Sequence, residues 1–193
     1  MKLFIALALA FAGQANAEVL KVDTTASNVE WKGTKKIGSF HAGNVAVKEG
    51  QVETNEKGDI TGGNFVLDMT KITNTDLAAD PDSQKKLVGH LSSPDFFNVA
   101  SHPTSTFKIT SVTKKGKEHL VKGDLTILGK TNPIEFPAKI TTTATSATAD
   151  AKVKIDRTKW DLKYGSGNFF KELTADKIIN NDIELTLKLA AKK

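Results

Sequence analysis

Asp182-Ile183-Glu184-Leu185-Thr186-Leu187-Lys188-Leu189 alternates polar and apolar residues without a break. A period of two marks a strand that buries one face and wets the other, because successive side chains leave a pleated strand on opposite sides. The same pattern recurs upstream. Ala149, Ala151, Val153 and Ile155 share one parity against Asp150, Lys152, Lys154 and Asp156. Ile134, Phe136, Ala138 and Ile140 form another inward set, as do Val121, Leu125 and Ile127, and Phe107 with Ile109. Nearer the start, Phe65, Leu67 and Met69 alternate, and so do Val29, Trp31 and Gly33. Along Phe40 to Val47 the inward parity shifts near Gly43, which predicts a β-bulge there.

Turn signals separate these runs. Glu56-Lys57-Gly58-Asp59, Lys114-Lys115-Gly116-Lys117 and Gly129-Lys130-Thr131-Asn132-Pro133 predict hairpin tips. One stretch breaks the alternation. Asp80-Pro81 opens a helical segment with Leu87, Val88 and Leu91 at helical spacing, and a short turn follows from Ser93-Pro94 to Phe96-Phe97. The chain of 193 residues is the length of one domain and can bury a core without disulfides. About eight or nine antiparallel strands with one helical insertion build a sandwich or a barrel. The small inward residues Gly33, Ala42, Ala138, Ala149 and Ala151 favour a barrel with room inside.

Met1-Lys2, the apolar run Leu3 to Gly13 and the end Gln14-Ala15-Asn16-Ala17 predict a signal peptide cleaved after Ala17. The run is shorter than the roughly 20 residues that cross a bilayer. The mature domain then covers 18–193 and works in a periplasm or as a secreted protein. Zero cysteine excludes a disulfide scaffold, thiolate-held metal and thiol catalysis. The formal charge of +5 rests on lysines and a single arginine, Arg157, which weighs against arginine-led nucleic-acid readout. The lysines are compatible with transient contact to an anionic membrane surface. His41, His90, His102 and His119 lack metal-ligand spacing, and no nucleophile elbow or dinucleotide fingerprint is present. The expectation is a non-enzyme with no metal and no cofactor. Gly165-Ser166-Gly167-Asn168-Phe169-Phe170 lacks the lysine and the strand–helix setting of a phosphate loop, and reads as a loop whose aromatic pair sits on the rim.

Four ordered motifs carry a resemblance. They are Gly62-Gly63-Asn64-Phe65-Val66-Leu67-Asp68, His90-Leu91-Ser92-Ser93-Pro94-Asp95-Phe96-Phe97 with His102-Pro103-Thr104-Ser105-Thr106-Phe107, Gly123-Asp124-Leu125-Thr126-Ile127-Leu128-Gly129-Lys130-Thr131, and Ile155-Asp156-Arg157-Thr158-Lys159-Trp160. Together they resemble the YceI-like, polyisoprenoid-binding family across essentially all of the mature chain. The resemblance implies a lipocalin-like antiparallel barrel that holds a long isoprenoid chain, and it implies that a homodimer is one form such a protein takes. Residues expected to line the cavity are Trp31, Phe40, Phe65, Leu67, Met69, Phe107, Leu125, Ile127, Phe136, Ile140, Val153 and Leu185. Leu87, Leu91, Phe96 and Phe97 are expected at its mouth, as a seal or a gate. Arg157 either contacts a ligand head group, pairs with a carboxylate or caps loop carbonyls. The expected function is binding, sequestration or transfer of a polyisoprenoid or similar long-chain lipid. The alternative is a filled barrel that acts as a stress-linked envelope protein through surface contacts with a protein partner. A lipid hydrolase would need a nucleophile and base that the sequence does not offer.

Overall fold

Nine strands pair into a single antiparallel sheet that closes on itself. The computed structural model describes residues 18–193, so the expected leader lies outside the described residues. The strands are β1 (Glu18–Val22), β2 (Asn28–Lys35), β3 (Phe40–Thr54), β4 (Ile60–Asp68), β5 (Thr104–Lys115), β6 (Glu118–Ile127), β7 (Lys130–Thr142), β8 (Ser146–Asp156) and β9 (Ile179–Lys192). One α-helix, α1 (Pro81–Ser92), lies between β4 and β5. From β2 to β9 each strand pairs with the next, and β2 pairs with β9 to close an eight-stave barrel. β1 shares the stave of β2. It pairs Leu20 with Val52 of β3 and Lys21 with Lys192 of β9, as β2 pairs Val29 with Val45 and with Leu187. The stave breaks at 23–27, where the Asp23 carboxylate accepts from the Thr25 and Ala26 amides and the Thr25 hydroxyl. The Lys192 ammonium above all, with these donors, holds the Asp23 carboxyl well below the usual carboxylate range.

The two ends of the barrel differ. Among the described residues one carries only short turns, at 55–59, 116–117 and 143–145, and is packed by Leu20, Val52, Ala147 and Ala191. The other carries the β2–β3 hairpin, the insertion with α1, and the long connection from β8 to β9. α1 begins as the sequence predicts. Asp80 caps it by accepting from the Ser83 amide at 3.1 Å, and Pro81 stands in the first turn, where its missing N–H leaves no bond unmade. Its Leu87 and Leu91 pack with Trp31, Val45, Leu67, Met69 and Ile72, which seats the helix over the barrel end.

Three local expectations change. The register is continuous from Phe40 to Val45 against β2, and the bulge falls between Val47 and Glu49 against β4. Phe40 therefore faces outward at the strand's start, with the Lys32 ammonium 4.7 Å from its ring centroid. Gly43 faces inward for a different reason. The segment after β4 crosses over it, and a Cβ there would fall on the Thr73 carbonyl. The third tip is a two-residue turn, Leu128–Gly129, with φ of +52° and +72°. Both positive values match the right-handed twist of a hairpin. β7 thus starts at Lys130 and contains Pro133 and Pro137. β6 pairs with β7 from Lys130 to Ala138, but β8 pairs with it only from Ala138 to Thr142. The two prolines, which have no N–H, lie in the stretch that β8 leaves unpaired. The turn Arg157–Trp160 packs there instead. Asn132 Nδ2 donates to Lys159 O at 3.1 Å, and Trp160, 1% exposed, donates to Leu125 O at 2.9 Å.

Gly43→Ala should displace the crossing segment and break the bond from the Trp31 indole to Thr73 O, seen at 3.1 Å. The expected cost is about 1–3 kcal/mol, as for overpacking of a well-packed site. Urea unfolding followed by tryptophan emission measures it.

Candidate functional site: an apolar lumen

Inward-facing Phe65, Leu67, Phe107, Ile109, Ile140, Leu185 and Leu187 are only half-buried. They point into the barrel, so the accessibility they keep is space inside it. Two adjoining cavities occupy the lumen, one of about 120 Å³ in the barrel body and one of about 170 Å³ beneath α1. Val29, Leu67, Leu125 and Leu185 line both. A single water needs roughly 10–15 Å³ by this measure, so each cavity has room for several water-sized groups. The walls are almost wholly apolar and give water few hydrogen-bond partners, so an apolar chain suits this space better. The hollow has a sequence cause. Ala138 stands directly opposite Ala151, and Ala149 opposite Ile140, so β7 and β8 present little side-chain volume to the centre.

The expected lining residues divide between the two chambers. Phe65, Phe107, Phe136, Ile140 and Val153 line the barrel body. Trp31, Met69 and Ile127 line the chamber under the helix, and outward-facing Phe40 reaches its rim. Leu67, Leu125 and Leu185 line both. Leu87 and Leu91 of α1, with Phe96 and Phe97 just after it, form the roof of the upper chamber. Phe96 is held there by edge-to-face packing on His90 at 5.0 Å and by Tyr164 at 5.1 Å. Exposed Lys35, Ser39 and Phe40 also line this chamber, so it meets solvent beside the β2–β3 hairpin.

Polar groups gather at that end. His41 Nδ1 lies 2.8 Å from Asp76 Oδ2, while Asp76 Oδ1 accepts from the Ala42 amide at 2.7 Å and from Asn74 Nδ2 at 2.5 Å. Burial works to raise the Asp76 carboxyl, but the Ala42 amide, His41 and Asn74 together outweigh it and hold it below its usual range. This carboxylate fastens the segment 73–76 along β3 where β4 has already ended. Among the described residues no three histidine or acidic side chains stand together as a metal site.

Arg157 is 2% exposed and lines the upper chamber. Its nitrogens donate to three backbone carbonyls: Nε to Asn180 O at 3.1 Å, Nη2 to Ile179 O at 3.1 Å and Nη1 to Leu162 O. Burial draws its pKa down to about 10, opposed by the neighbouring Asp156 carboxylate, and the group stays charged at neutral pH. The guanidinium thus ties the head of the β8–β9 connection to the start of β9. Val29, Val47, Ile109, Val121 and Leu187 also line the lumen. The same alternation rule would have found them. Leu162, Ile179 and Ile72, just before the crossing segment, carry no periodic signal, and only the fold brings them to the site.

A YceI-like domain model matches residues 20–191 of the chain. Protein YceI of Escherichia coli O157:H7 is 49% identical over 51 residues, 26% of this chain and only 27% of that protein. A UPF0312 protein of Pseudomonas aeruginosa (strain LESB58) is 32% identical over 136 residues, 69% of this chain and 67% of its own length. Among solved structures, BcnA of Burkholderia cenocepacia is similar with a TM-score of 0.68 at 20% identity, over 89% of this chain and 99% of that one. A polyisoprenoid binding domain from Saccharophagus degradans is similar with a TM-score of 0.64 at 16% identity, over 90% of this chain and 97% of that one. At such identities these two likenesses speak for the barrel itself.

Arg157→Lys keeps the charge but cannot span three carbonyls, because an ammonium is a point donor. The expected loss is about 2 kcal/mol, or roughly 4–8 °C in Tm for a chain of this size. Hydrogen exchange should quicken in 158–178 while the β5–β6 amides keep their protection.

Proposed function

The chain belongs to the YceI-like family, and on that footing we propose that its barrel binds a polyisoprenoid or similar long-chain lipid and sequesters or transfers it. The observation that carries the reading is the lumen: inward apolar walls that the chain's own side chains do not fill. A prenyl tail buried there gains about 0.8 kcal/mol for each methylene-sized unit taken from water. Each five-carbon unit then contributes about 4 kcal/mol before the costs of association are subtracted, so a few units suffice for stable binding. A structural neighbour that is itself a polyisoprenoid binding domain supports the same assignment.

The tail runs through the barrel body, and the head group lies in the upper chamber, where Lys35, Ser39, His41 and Arg157 supply the polar lining. Arg157 acts there chiefly by holding the wall, since its nitrogens already serve carbonyls. The mechanism makes and breaks no bond. It consists of keeping a water-insoluble tail out of water between donor and acceptor, in the periplasm or outside the cell, as the leader sequence suggests.

Native mass spectrometry of protein purified from its own source, followed by organic extraction, should find one prenyl lipid per barrel. An empty barrel that also refuses added prenyl lipids would sink this reading and favour the surface-contact alternative. Ala138→Phe and Ala151→Leu place side-chain atoms where the tail lies. Each should lower affinity about tenfold or more, the equivalent of roughly two methylene groups left in water, while Tm is kept.

A further inference from the structure

The barrel end that carries α1 also holds apolar side chains out in water. Ile37, at the tip of the β2–β3 hairpin, is 61% exposed, and Phe40, Tyr164, Phe169 and Phe170 are exposed with it. Among the described residues the other large apolar side chain this exposed is Val19, at the opposite end. The hairpin and the β8–β9 connection adjoin, because Lys36 N donates to Ile178 O at 2.8 Å and Lys35 pairs with Ile179.

Phe169 and Phe170 stand on a fastened turn. Their amides donate to Ser166 O at 3.0 and 2.9 Å. Ser166 is itself fully buried and bonds Asn181 Oδ1 at 2.7 Å. A turn that holds two adjacent phenylalanines outward forgoes the burial of both rings, and grouped apolar exposure of this kind marks a contact surface. The charge around it is net positive. Residues 35–40 and 163–178 contain Lys35, Lys36, Lys163, Lys171 and Lys177 against Glu172 and Asp176. The Lys163 ammonium lies 5.1 Å from the Phe169 ring centroid.

We infer that this end of the barrel docks on a bilayer bearing anionic lipids, with Ile37, Phe169 and Phe170 seated among the head groups and the lysines on the phosphates. Aromatic rings beside lysines suit the head-group zone, where an apolar body and a charge are both accommodated. The same hairpin borders the opening of the upper chamber. A lipid can therefore pass between bilayer and lumen without its tail crossing water. The inference rests on the lumen being the lipid site, since that is what gives the mouth a membrane to face.

The test sediments the mature protein with vesicles of phosphatidylcholine alone and of phosphatidylcholine mixed with phosphatidylglycerol. Uptake of a polyprenol from detergent micelles is measured separately. The protein should pellet with the anionic vesicles, less so in high salt, and stay in solution with the neutral ones. The double variant Phe169→Ser/Phe170→Ser should lower the anionic partition coefficient at least tenfold. Lys36→Gln/Lys171→Gln should lower it about tenfold, taking several-fold for each lysine near the surface. Both variants should keep Tm and polyprenol uptake. A wild-type protein that takes up polyprenol but ignores both vesicles overturns docking and leaves the carrier reading intact. Binding to anionic vesicles without polyprenol uptake supports docking and sinks the carrier reading. A dimer that dissociates on Phe169→Ser/Phe170→Ser, seen by sedimentation velocity, assigns the rings to a second copy and overturns the inference, as does a variant that sediments like wild type.

Discussion

Pairing of β2 with β9 is the contact on which the rest depends. Trp31 against Leu185 and Gly33 against Ile183 join the first long stave to the last, so no stave is left as a free edge of the sheet. A sheet closed in this way keeps its outline through backbone hydrogen bonds. The interior can then stay partly empty without the walls collapsing inward. Emptiness has a cost of about 24 cal/mol for each Å³, which makes about 3 kcal/mol for the 120 Å³ chamber and about 4 kcal/mol for the 170 Å³ one. An apolar chain placed in the lumen would recover that loss, so closure and hollow together favour such an occupant.

The two barrel ends follow from how the connections are distributed. Short polar turns and the cluster of Leu20, Val52, Ala147 and Ala191 finish one end. The other receives both long connections, and each is held by a few polar contacts. Asp76 fastens the segment that crosses Gly43, and Arg157 fastens the β8–β9 connection through three carbonyls. These charges are buried or half-buried and fully engaged, which suits fixing loop geometry beside an apolar chamber. The exposed apolar residues occur on this fixed frame, so their exposure is a built feature of the surface.

Much of this was legible from residue order. Alternation located the strands, because a strand with one face toward an apolar interior must repeat with period two. It also assigned inward parity to Phe65, Phe107, Phe136 and Val153, which line the lumen. Asp80-Pro81 marked the start of the helix because capping is a local event. Phe40 shows where the rule weakens. At a strand's first residue alternation has little to count, and the outward side took the ring beside Lys32. Gly43 shows a second limit. Its lack of a side chain reflects a segment 30 residues away that crosses it, and no local pattern encodes a crossing.

The sequence by itself determined the strands, the helix start, the family and the apolar character of the interior, since each rests on neighbours along the chain or on composition. Only the tertiary structure decided how much of the interior is empty, what Arg157 touches, and that Ile37 and the Phe169–Phe170 pair share one rim. Empty volume depends on which side chains meet across the barrel, as Ala138 meets Ala151. The partners of a buried guanidinium are carbonyls that any residue could supply. Such facts reside in distances between segments far apart in sequence, which exist only once the sheet has closed.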